Sequence, residues 1–133
     1  MPILRVKMNH MNLPNKELQE AFGKVVYAVA KIDGEVQQTE IDVLHKIIAK
    51  NKWAEQVLVS FNKETELDND PNKIFPKAMN VFRSYGKSEH YTFFIELLEE
   101  IASAHGGIVP EEQKLIKMFK DTLDNFIKIP SQY

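Results

Sequence analysis

Apolar residues recur along this chain at three- and four-residue steps, and that spacing predicts helices almost throughout. Leu18, Phe22, Val25, Val26 and Val29 fall on one side of a helical wheel. Such a stripe must be buried against other elements while the remaining faces stay in water. Pro14 stands at a first helical position, where no amide hydrogen is needed. Gly34 stands where the chain leaves the helix and needs a positive φ. Ile41, Val43, Leu44, Ile47 and Ile48 form a second stripe. Thr39 is its expected cap, with Asp42 three residues on as a shorter stand-in for glutamate. Trp53, Val57, Leu58 and Phe61 predict a third helix.

The stretch from Glu64 to Pro71 is polar and ends in Asp-Asn-Asp-Pro, which predicts a linker closing in a turn. Ile74, Ala78, Val81 and Phe82 make a fourth helix, stopped by Gly86. Ser88 is the expected cap of a fifth, which carries Phe93, Phe94, Leu97, Leu98 and Ile101. Pro110 opens a sixth, with Leu115, Ile116 and Phe119 facing inward and Leu123, Phe126 and Ile127 completing it. Strand signals are nearly absent. Only Ile3 to Met8 alternates weakly, as an extended arm or a first short helix. The expected fold is all-α, a single-domain bundle of about seven helices over residues 1–133.

The pattern also repeats. Ala30-Lys31-Ile32-Asp33-Gly34 leads on to Glu40, and Ala102-Ser103-Ala104-His105-Gly106 leads on to Glu112. The offset is 72 residues throughout (30 to 102, 34 to 106, 40 to 112). Phe22 then matches Phe94, and Val43, Leu44 and Ile47 match Leu115, Ile116 and Phe119. Neither two-helix unit can bury its stripe alone, so the halves, residues 15–62 and 87–128, should pack on each other across a linker at 63–72. Two copies are too few for a solenoid, which leaves an internal pseudo-twofold.

Composition narrows the function. A chain of 133 residues with 44% apolar content is an ordinary globular domain. Its net charge of −2 provides no field that recruits nucleic acid or an anionic membrane. The absence of cysteine excludes disulfides, thiolate metal sites and cysteine nucleophiles, and suits a reducing cytoplasm. No apolar run reaches the roughly 18 residues of a membrane span. Glu96, Glu99 and Glu100 interrupt the longest candidate.

The repeated turn is where chemistry would gather. Gly34, five residues and Glu40 reproduce the second half of a calcium loop. The earlier acidic positions of that loop hold Val29, Lys31 and Asp33, and in the second copy Ile101, Ser103 and His105, so neither turn is an EF-hand. Asp33, Glu40 and Glu112 are the first candidate ligands for a divalent cation, calcium, magnesium or zinc. Glu35, His105 and Glu111 are secondary candidates, and Gly34 and Gly106 are structural turn residues. A purely structural turn explains the same residues: Asp33 can bind backbone amides and Glu40 favours a helix start. Ser103 and His105 do not make a nucleophile–base pair. Lys114, Lys117 and Lys120 form a basic stripe, and Trp53 follows Lys50 and Lys52; solvated faces and core positions account for these.

At Ala30 to Glu40, and again at Ala102 to Glu112, the chain resembles the TerB family of bacterial tellurite-resistance proteins and the related N-terminal domain of DjlA-type co-chaperones. The resemblance covers Leu18 to Phe126. It implies an internally symmetric helical bundle, association with stress-response machinery near the inner membrane, and Asp33, Glu40 and Glu112 as candidate cation ligands. His105 departs from the pattern where an aspartate would stand. No J-domain His-Pro-Asp motif is present. The leading expectation is therefore a non-enzymatic, cytoplasmic interaction or stress-response module with protein partners and no nucleic acid. A metal-dependent hydrolase built on His105, Glu111, Glu112 and Asp33 is one alternative. A protein-binding adaptor without any ion is another.

Overall fold

The computed structural model describes residues 15–105 and 107–128. Six α-helices are present among them: α1 Lys16–Lys31, α2 Gln38–Lys50, α3 Glu55–Leu67, α4 Pro71–Tyr85, α5 Tyr91–Ala102 and α6 Pro110–Lys128. Short 3-10 turns, Lys52–Ala54 and Ser103–His105, lead into α3 and out of α5. The all-helical expectation holds. The seventh element expected at Ile3 to Met8, the opening at Pro14 and the turn residue Gly106 lie outside the described residues.

Helix α1 is the centre of the bundle. Its side Asn15 Oδ1 accepts from the Leu18 amide at 2.8 Å, which caps the helix. Eleven of its residues are buried, from Leu18 to Ala30, because α3 and α4 pack along it and α5 and α6 close over it. Burial on nearly every side explains why the stripe read from sequence is wider in the fold than four or five positions. Phe22, Phe82, Phe94 and Phe119 meet at the middle, with Phe82 edge-on to Phe119 at 5.3 Å.

Three local expectations change. Helix α2 is capped by Gln37 and not by Thr39, since Glu40, at the third helical position, reaches back to accept from the Gln37 amide at 3.1 Å. Helix α5 follows His90 as its cap; the Ser88 hydroxyl instead accepts from the His90 amide at 3.2 Å and shapes the turn before it. The linker expected at 63–72 contracts to the residues 68–70. Residues Glu64–Leu67 stay helical because Glu64 is buried and paired, and Asp68 ends α3 with a left-handed φ of 51°.

Candidate functional site

Each of the two repeated turns delivers a glutamate into the interior. Glu40 Oε1 accepts from the Gln37 amide at 3.1 Å, and Glu112 Oε1 accepts from the Val109 amide at 3.2 Å. The two caps are 72 residues apart and chemically alike. Each satisfies one of the amides that a helix start leaves without an intrahelical partner. Glu40 is 1% exposed and Glu112 is 0% exposed. The negative charge of Glu112 is close enough to act on Glu40 there.

A second repeat-related pair is in direct contact. Phe22 and Phe94 stack with ring centroids 4.5 Å apart and planes 18° from parallel. When a residue contacts its own equivalent in the other copy, the two copies face each other through the same surface, as in an isologous interface. The copies are unequal away from these contacts: α1 has 16 residues against 12 in α5, and α2 has 13 against 19 in α6.

The electrostatics of the pair follow from its position. Burial penalises the charged form of Glu40 most strongly, and the nearby negative charges of Glu112 and Asp33 push in the same direction. The Gln37 amide opposes them but loses, and Glu40 is pushed up to about 8.

The other expected residues part company. Asp33 is exposed, within electrostatic reach of Glu40, and Glu35 and Glu111 are exposed as well. Gly34 turns the chain with a φ of 119°, which requires glycine. His105 belongs to the 3-10 turn after α5, and its side chain lies outside what is described. Glu111 and Glu112 are adjacent, but one faces solvent and the other the core, so they do not line one cleft for hydrolysis. Among the described residues, no three His, Asp or Glu side chains are grouped to hold a metal ion.

Beside the turns lies a surface groove of about 340 Å³ that sequence reasoning missed. Ile32, Phe75, Pro76, Leu115 and Met118 give it an apolar floor, with Asn72, Glu111 and Lys114 as its polar lining. Met118 is 47% exposed. Pro76 sits inside α4 and has no amide hydrogen, so the Asn72 carbonyl lacks its usual helical donor. The mid-helix proline was the available signal. In the basic stripe, Lys117 pairs with Asp121 at 2.9 Å and Lys120 lies 3.9 Å from Glu99, all on a solvated face.

An all-helical domain built from two facing copies of an acidic turn is the class of protein defined by this geometry. The profile of the TerB family, described as tellurite resistance protein TerB, matches residues 19–125. The chain belongs to that family. No curated protein and no solved structure shows significant similarity to it. No helix among the described residues is long and apolar enough to cross a membrane.

Proposed function

We propose that this chain is a non-enzymatic TerB-like interaction module that binds a protein partner on the face shared by the Asp33–Glu35 turn and the groove beside it. The observation that carries this reading is the burial of both motif glutamates. Glu40 and Glu112 are spent on capping helices inside the fold, so they cannot touch a substrate. What the turns leave at the surface is Asp33, Glu35 and Glu111, next to an apolar floor and a backbone carbonyl without its helical donor. That combination suits a segment that inserts an apolar side chain at Met118, donates to Asn72 and presents positive charge to the three acids. Stress-response machinery, near the inner membrane or free of it, is the class of partner that family membership favours.

The test is affinity capture from the native host with wild-type and Met118→Asp chains. A charge at that position should remove the partner while the melting temperature changes by no more than about 2 °C, since Met118 is half exposed. Retention of every partner by Met118→Asp, and by Leu115→Asp, would move the interface off this groove.

A further inference from the structure

We propose that residues 3–13, which precede α1 and lie outside the described residues, seat as a helix in the groove between α2 and α5. They would do there what α4, which precedes α5, does between α1 and α6. This groove shares no lining residue with the partner groove proposed above, and the inference does not depend on that reading.

The repeat supplies the template. α4 packs along α1 and reaches α6, where Phe82 stands edge-on to Phe119 at 5.3 Å. Under the 72-residue offset the equivalent seam lies between α5 and α2. A groove of about 310 Å³ is found there. Val43, Ile47 and Leu97 form its apolar walls, with Lys46, Lys50 and Glu100 at its polar edge. Val43, Lys46 and Ile47 are the counterparts of Leu115, Met118 and Phe119, the α6 residues that stand beside α4. In each seam the occupant is the segment just ahead of one half's first helix, laid on the first helix of the other half.

The segment carries the pattern of such an occupant. Ile3, Leu4, Met8 and Met11 match Ile74, Phe75, Met79 and Phe82, the buried side of α4, at an offset of 71 residues (3 to 74, 8 to 79, 11 to 82). The connection into α5 is thus one residue longer than that into α1. On a helix these four residues fall in one stripe. Lys7 falls in the same stripe, at the position of the buried Ala78. On the receiving side, the buried Ala28 of α1 is matched by the exposed Glu100 of α5. The open seam therefore offers a carboxylate where its occupant carries an ammonium, and alanines hold both positions in the filled seam. Opposite charges of this kind select the partner and fix its register. A helix over residues 3–13 runs about 16 Å, longer than the roughly 10 Å of α2 from Val43 to Lys50. Phe22 stacks on Phe94 at 4.5 Å, so α1 and α5 lie side by side and a segment ahead of α1 need not cross the bundle. The TerB match begins at residue 19, so family membership does not account for this segment.

The chain has no cysteine, so an engineered pair reports proximity without background. Met11→Cys with Ile47→Cys reproduces the pairing of Phe82 with Phe119. Under mild oxidation of dilute protein it should close a disulfide within one chain at least about tenfold faster than Met11→Cys with Val59→Cys. Val59 is the control because it is 51% exposed, on α3. Glu100→Lys should slow the first linkage by about fivefold or more, and Glu100→Lys with Lys7→Glu should restore it. Equal linkage of the two cysteine pairs, or no linkage of the first, would overturn the proposal. So would a disulfide formed only between chains, because the groove would then take the segment of a second copy. If the cysteine chains do not fold, the wild type decides. Trypsin should cleave after Lys7 at least about tenfold more slowly in the intact chain than in a free peptide of residues 1–14. Equal rates would rule out a seated segment.

Discussion

Two seams hold this bundle, and each contains a buried glutamate in the opposite electrical state. Along the α1–α3 seam, Glu64 is 3% exposed, accepts from Lys24 Nζ at 3.0 Å and accepts from Asn69 Nδ2 at 2.6 Å. Burial alone would raise its pKa, yet Asn69 and Lys24 outweigh burial and hold it below the ordinary value. Where the repeat halves meet, Glu40 is as deeply buried, but its charged neighbours are Glu112 and Asp33, and it is pushed up to about 8. Burial is common to both, so the partner decides the charge state. The two seams should therefore fail at opposite ends of the pH scale. Glu64 contributes above its unfolded value and loses that contribution as pH falls through its depressed folded value. Glu40 contributes below its unfolded value and loses that contribution as pH rises through its raised folded value.

The sharpest break in the comparison is steric. Gly23 lies where α1 and α3 come closest: a Cβ there would stand 2.4 Å from the Val57 carbonyl oxygen and 2.7 Å from Ser60 Cβ. Backbone cannot yield as a flexible side chain does. Ser60 also donates to the Glu20 carbonyl at 2.8 Å, and that bond would break as the helices part. Gly23→Ala should cost about 3 kcal/mol by urea unfolding, more than any charge substitution discussed here. Because the loss is steric, it should be nearly the same at acid and alkaline pH, which separates it from both glutamate effects.

Lys24→Met comes next. It keeps the aliphatic stem against α1 and α3 and removes only the ammonium that faces Glu64. The carboxylate then keeps Asn69 but loses its counter-charge, at a cost of about 2 kcal/mol at neutral pH. The cost should shrink as pH falls and Glu64 becomes protonated in both proteins. Unfolding curves at neutral pH and well below pH 4.5 check this; an equal cost at both would mean that the ammonium does not neutralise Glu64.

Much of this fold is legible in the sequence, and the reason is local. The α1 stripe, the turn at Gly34 and the start of α6 at Pro110 depend on side-chain spacing and backbone constraints that a few neighbouring residues determine. The repeat offset even anticipates that Phe22 and Phe94 are equivalent, though not that they stack on each other. The cap of α2 was misplaced because Thr39 is a better capping type than Gln37. The decisive residue was Glu40, whose reach to the Gln37 amide has an equal spacing in Val109 and Glu112. That shared spacing was visible. The burial of the two glutamates was not, since it arises only when the halves are brought together. Glu64 was assigned to a polar linker for the same reason: Lys24 is 40 residues away, and nothing near Glu64 announces its partner.

The smallest predicted effect isolates the long-range part of the contrast. Asp33 is exposed and makes none of the bonds that cap α2, but its negative charge acts on Glu40. Asp33→Asn removes that charge with little change of shape. The charged form of Glu40 is then easier to tolerate, its pKa falls back toward the ordinary value, and less stability is lost as pH rises. The melting temperature should rise by about 1 °C near pH 9 and stay nearly unchanged near pH 6, because Glu40 is already protonated at the lower value. Salt should weaken the difference, since Asp33 acts through solvent-exposed space. Lys24→Met combined with Asp33→Asn should give additive shifts, because the two substitutions act on different seams. A non-additive result would show that the seams exchange strain through α1, the helix that both of them share.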